Sequence, residues 1–166
     1  MFGEMRMRLL IPAGLAAAVL AGSGRAAVPT ESACGPTAPH AHTVSGARAP
    51  LVPAGATSLV LCRYRGLNPP TLAHRLLAMR RVTDRTDVAS IAAALNALPV
   101  SRGMFSCPMD DGSEILATFT YARRASVAIR IGLRGCETVT GAHPPVRTAA
   151  RPAGQRLIAR LERLVP

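Results

Sequence analysis

The chain has 166 residues, a formal net charge of +11, four cysteines and no tryptophan. That length suits one domain of ordinary size once an N-terminal segment is set aside. All 20 basic residues are arginine, and beyond the N-terminal segment the aromatics are only Tyr64, Phe105, Phe119 and Tyr121. With scattered arginines and so few rings, the charge reads as surface solvation, and no nucleic-acid partner is expected.

Residues 1–27 run from a basic start around Arg6 and Arg8, through an apolar stretch at 9–20, to a small-residue zone ending in Ala26-Ala27. This is the pattern of a secretory signal peptide. The apolar stretch is too short to span a bilayer and contains Pro12 and Gly14, so membrane attachment is expected only if the segment stays uncleaved. Glu31 occupies the place where a lipobox needs an aliphatic residue before Cys34, which argues against a lipoprotein. The expected location is secreted or extracellular.

Residues 28–56 are rich in Pro, Ala, Gly and Thr without periodic apolar positions, and read as an extended arm. A single domain then fills 57–166. Its first element is a strand over 57–65, with Leu59 and Leu61 on one face and Val60, Cys62 and Tyr64 on the other. Residues 71–82 fit either a short helix on Leu72, Leu76 and Met79 or a returning strand over 77–82, and the strand is favoured. A helix follows: Thr83, Asp84 and Thr86 offer caps, Val88, Ile91, Ala92, Leu95 and Leu98 form one stripe, and Pro99 stops it.

The stretches 115–121 and 126–133 read as a hairpin whose bulky residues are all odd-numbered. Both sets reach one core only if the connecting loop, around residues 122–125, has an odd length. The C-terminal stretch carries Leu157, Ile158, Leu161, Leu164 and Val165 on one face and Arg156, Arg160 and Arg163 off it, the pattern of an amphipathic helix docked on the sheet. The expected fold is α+β, an antiparallel sheet of about four strands with two helices on one face, in the order β-β-α-β-β-α.

Four cysteines in an exported chain imply two disulfides with three possible connectivities. The hairpin parity places Cys136 opposite residue 110 or 112, near Cys107, which argues for Cys107–Cys136 and leaves Cys34–Cys62. Structural staples are expected rather than redox chemistry, since no Cys-x-x-Cys occurs. Cys34, His40 and His42 match no closed zinc pattern. The cluster Asp110-Asp111-Gly112-Ser113-Glu114 lacks the alternating ligands of a calcium loop and is explained by a tight Asp-Gly turn. No Gly-x-Ser-x-Gly, Ser-x-x-Lys, His-Glu-x-x-His or phosphate-binding glycine loop is present. A triad from His74, Asp84 and a serine has no sequence support. Neither enzyme activity, metal nor cofactor is expected.

Four strings carry a resemblance: Leu61-Cys62-Arg63-Tyr64, Leu95-Asn96-Ala97-Leu98-Pro99, Cys107-Pro108-Met109-Asp110-Asp111-Gly112 and Gly135-Cys136-Glu137-Thr138-Val139. They resemble an uncharacterised family of exported four-cysteine proteins from GC-rich actinobacteria, which implies export and a shared fold. A more local stretch is similar to the subtilisin-inhibitor-like family. There a Leu-Asn-Ala-Leu run precedes a Cys-Pro-Met reactive loop, a hairpin and a partner cysteine, here Leu95 to Leu98, Cys107-Pro108-Met109 and Cys136. That similarity implies an inhibitory loop of Pro108, Met109 and Asp110, with Met109 filling a protease's primary pocket. The chain departs from the pattern in following Met109 with Asp110 and Asp111, and in placing Cys34 before the Cys62 strand.

The expected function is a secreted, disulfide-stabilised, non-catalytic binding or accessory protein of the cell envelope or medium. Its partner would be an extracellular protein or envelope ligand. The alternative is a secreted serine-protease inhibitor presenting the Cys107-Pro108-Met109 loop.

Overall fold

The computed structural model describes residues 34–39, 50–102, 106–143 and 145–166. The expected signal peptide at 1–27, most of the 28–56 arm, His40, His42 and Phe105 lie outside the described residues. The elements in order are β1 (Ser58–Tyr64), a 3-10 turn (Pro70–Leu72), β2 (Leu76–Val82), α1 (Arg85–Ala97), β3 (Glu114–Thr120), β4 (Val127–Gly132), β5 (Thr138–Thr140), β6 (Arg147–Thr148) and α2 (Pro152–Leu164). The strands form one six-stranded antiparallel sheet in the order β2-β1-β3-β4-β5-β6. The α+β class, the strand at β2 and both helices are as the sequence predicts. Two strands are additional: β5 and β6 are three and two residues long, too short to show a period of two.

Parity explains the core. β1 pairs Leu59 with Phe119 and Leu61 with Ala117 on β3. Ile115 then pairs with Ile131, Ala117 with Ile129 and Phe119 with Val127 on β4. Odd-numbered side chains from three strands therefore line one face. Val88, Ile91 and Leu95 of α1 and Leu157, Ile158 and Leu161 of α2 close over it. Each fully buried Leu, Ile or Phe contributes about 1.5–3 kcal/mol of transfer free energy. Asp84 caps α1 by accepting the Asp87 N–H at 2.9 Å, and Pro152 occupies the first turn of α2, where its missing donor costs nothing. Arg160 links the helices' outer sides, 2.7 Å from Asp87 and 3.0 Å from Ser90.

The opposite face carries a smaller cluster of Cys34, Val60, Cys62 and Tyr64. Residues 34–39 cross it near one end of the sheet, held by the Cys34–Cys62 disulfide. The Tyr64 hydroxyl donates to the Gly35 carbonyl at 3.2 Å. Arg130 pairs with the buried Glu114 and also donates to the Pro39 carbonyl. Farther along, Leu51 and Val52 belong to the main core, although no sequence periodicity marks them. The Asn96 side chain grips Val52 from both sides, donating to its carbonyl at 2.7 Å and accepting its N–H at 3.0 Å. The Tyr121 hydroxyl donates to the Pro53 carbonyl at 2.9 Å.

Candidate functional site

Tyr64, Glu114 and Gly132 lie side by side at one end of the sheet, so the segments that follow or precede them meet there. They are the β1–β2 connection, the 106–113 loop before β3, and the 133–137 turn after β4. The Cys107–Cys136 disulfide joins the last two across a Cα separation of 5.3 Å. This is the pairing that the hairpin parity predicts, and the register itself is visible beside it: a Cβ on Gly135 would stand 2.7 Å from the Asp110 backbone nitrogen. Gly135 also adopts φ +71°, so glycine serves both the backbone and the close approach there.

Between Cys107 and Ser113 the chain turns sharply. The Asp110 N–H donates to the Cys107 carbonyl at 3.0 Å, closing a β-turn with Pro108 and Met109 at its corners. Asp110 then accepts the Gly112 N–H at 2.9 Å. Asp111 accepts the Ser113 N–H at 2.8 Å and the Ser113 hydroxyl. The hydrogen bond from that hydroxyl is the main cause holding the Asp111 carboxyl below the ordinary aspartate range, and Arg134 acts the same way. The Leu133 N–H donates to the Ser113 carbonyl at 3.0 Å, which ties the end of the loop to β4's extension.

Within this frame Met109 points away from the protein and is 78% exposed, more than any other exposed large hydrophobic residue among those described. The loop is thus a hydrogen-bonded turn with a disulfide at its base and a long apolar side chain at its apex. Both acidic residues are turned back onto the loop's own backbone, so Asp110-Asp111-Gly112-Ser113 forms Asx turns where the sequence predicts a tight Asp-Gly turn. No group of three or more His, Cys, Asp or Glu side chains able to hold a metal occurs among the described residues.

Pro108, Met109, Asp110, Cys107 and Cys136 are brought together, whereas Cys34 and Cys62 form the buried bridge under the arm. His74 and Asp84 lie at opposite ends of β2, one before Leu76 and the other after Val82. With a rise of about 3.3 Å per strand residue they are well over hydrogen-bond reach apart, so the structure does not assemble that triad. Ser113 stands out in the sequence only as a member of the acidic cluster and Gly135 only within a resemblance string, and neither is a predicted site residue. The parity that pairs Cys136 with the 110 region marks Gly135 as the residue that must pass Asp110 closely.

No protein-family model matches the chain, and neither a curated protein nor a solved structure matches it. The two disulfides fit an oxidising, extracellular setting. Among the described residues no helix is long and apolar enough to cross a membrane.

Proposed function

We propose that this protein is a secreted, non-catalytic binding protein that engages a partner protein through the 107–112 loop, with Met109 as the anchor. One observation carries the reading: Met109 is 78% exposed while the backbone on both sides of it is locked by a disulfide and by turn hydrogen bonds. A thioether on an unbranched chain fills irregular apolar pockets well. A loop already held in one shape loses little further entropy on binding, so more of the contact energy appears as affinity. The separation of His74 from Asp84, and the engagement of Asp110 and Asp111 by their own loop, favour a binding role over catalysis.

The narrower reading is a serine-protease inhibitor with Met109 in the protease's primary pocket. It is favoured by the place of Met109, two residues after a cysteine whose bridge leads to the end of the following hairpin. A protease cleft takes its peptide extended, so the bond from the Asp110 N–H to the Cys107 carbonyl must open on docking.

Two measurements test these readings. Subtilisin is titrated with the purified full chain while hydrolysis of a chromogenic peptide is followed. Inhibition that is lost in Met109→Asp supports the inhibitor, whereas none at large molar excess, or rapid cleavage after Met109, removes it. For the broader reading, wild type and Met109→Asp are used as baits in culture supernatant and envelope extract. A partner retained by wild type and lost by the variant is expected, and equal capture by both would overturn the anchor role.

A further inference from the structure

The disulfide fixes the first half of the Met109 loop; the second half is held by β4's extension and also by a segment far away in sequence. The Leu67 N–H, in the β1–β2 connection, donates to the Asp111 carbonyl at 2.7 Å. That approach is possible only because residue 66 is glycine. A Cβ on Gly66 would stand 2.3 Å from the Asp111 carbonyl oxygen and 3.2 Å from the Ser113 nitrogen, and the first distance is inside any tolerable contact. Gly66 is not among the residues with positive φ, so its backbone suits any amino acid and room alone requires the glycine. The contact is reciprocal: a Cβ on Gly112 would stand 2.9 Å from Leu67 Cγ. Leu67 therefore lies on the flank of the loop, with 49% of its surface still exposed.

Resting on the reading that this loop binds a partner, we propose that Gly66 and Leu67 are positioning residues for Met109. Cys107–Cys136 anchors the loop before Met109, and the Leu67 to Asp111 hydrogen bond anchors it after. The Leu67 bond adds an anchor next to Asp111, inside the loop and beyond the tie from Leu133 to Ser113. Each added anchor narrows the directions the apex can take, which lowers the entropy lost on docking. The β1–β2 connection is itself braced: the His74 N–H donates to the Arg65 carbonyl at 3.2 Å, and the Arg65 N–H to the Arg75 carbonyl at 2.9 Å. The support behind Leu67 is thus continuous with the sheet.

The test is amide hydrogen exchange on the folded full chain, comparing wild type, Gly66→Ala and Leu67→Ala. Gly66→Ala should speed exchange at Leu67, Gly112 and Ser113 at least tenfold, with Leu61 and Ala117 in the sheet unchanged. Leu67→Ala keeps the N–H and removes only the side chain lying on Gly112, so a rise of about threefold at Gly112 is expected. It decides the matter if Gly66→Ala does not fold. Unchanged exchange at these loop amides, or an increase spread evenly over the sheet, overturns the positioning role. Subtilisin titration of the same variants is a separate readout. If wild type does not inhibit, or is rapidly cut after Met109, the protease reading fails while exchange still decides the positioning. If wild type inhibits, Gly66→Ala should weaken inhibition at least tenfold.

Discussion

Glu137 follows the cysteine that anchors the Met109 loop, and its surroundings do not suit a charge. It adopts φ 45°, and one of its carboxylate oxygens is buried without a hydrogen-bond partner. Desolvation raises its carboxyl above the ordinary glutamate value; Arg134 pulls it back and Glu162, itself paired with Arg63 and Arg134, pushes it further up. A carboxyl raised in the folded state imposes no penalty while it is protonated in both states. Stability falls as pH rises from the unfolded-state pKa through the folded one. Glu137→Gln keeps the shape and stays neutral, so its Tm should exceed that of wild type near pH 7. The gap should close as pH falls below the ordinary glutamate value of about 4.3. Thermal unfolding across that range checks this, and a gap that persists at low pH would show that charge is not the cause. Asp111 has the opposite sign. Its lowered carboxyl stabilises the fold fully above the unfolded-state pKa, and that contribution is lost as pH falls from there through the folded-state pKa.

Among the elements, the strands with a run of alternating residues were legible from sequence because burial on one face leaves a period of two. Leu59 and Leu61, and then Ile115, Phe119, Ile129 and Ile131, are that record. The parity of the hairpin also carried a long-range consequence, the Cys107–Cys136 bridge. What stayed illegible has physical reasons. β5 and β6 owe their place to pairing with β4 and with each other, not to a pattern of their own. Leu51 and Val52 are two apolar residues in a Pro/Ala-rich stretch, and Asn96, which holds Val52, is polar and lies on α1. The loop that exposes Met109 was half legible: Asp111-Gly112 foretold the bend after Met109, while the supporting bond from Leu67, which the room at Gly66 permits, is encoded by no local pattern. The two bridges differ in exposure as well, since Cys107 and Cys136 are half-buried while Cys34 and Cys62 are 2% and 0% exposed. A dilute thiol under native conditions should therefore open Cys107–Cys136 first, releasing the loop while the arm stays bridged. Alkylation followed by peptide mapping reads the order, and equal rates for the two bridges would contradict it.

Across the whole described body, the sheet has two unequal faces and each bridge serves a different need. The helix-covered face holds most of the buried apolar residues, whereas the other has only the small cluster around Cys62 and Tyr64. Ordering the arm costs backbone entropy of about 1–2 kcal/mol per residue. The Cys34–Cys62 bridge, the Tyr64 hydroxyl, the Arg130 guanidinium and the backbone bonds from Leu76 to Pro36 and from Ala38 to His74 act against it. Removing that bridge with Cys34→Ala and Cys62→Ala should lower the unfolding free energy by about 2–4 kcal/mol. The arm also touches the β1–β2 connection, through the Ala38 N–H to the His74 carbonyl at 3.0 Å, so a slight loosening behind Leu67 is expected to accompany the loss. Removing the other bridge with Cys107→Ala and Cys136→Ala should act in the reverse proportion, freeing the Met109 loop far more than it weakens the sheet. Urea unfolding and loop-amide exchange on both double variants separate the two effects. If losing Cys34–Cys62 freed the 107–112 amides as much as losing Cys107–Cys136, the arm and the loop would be one mechanical unit, and the division of labour between the bridges would be wrong.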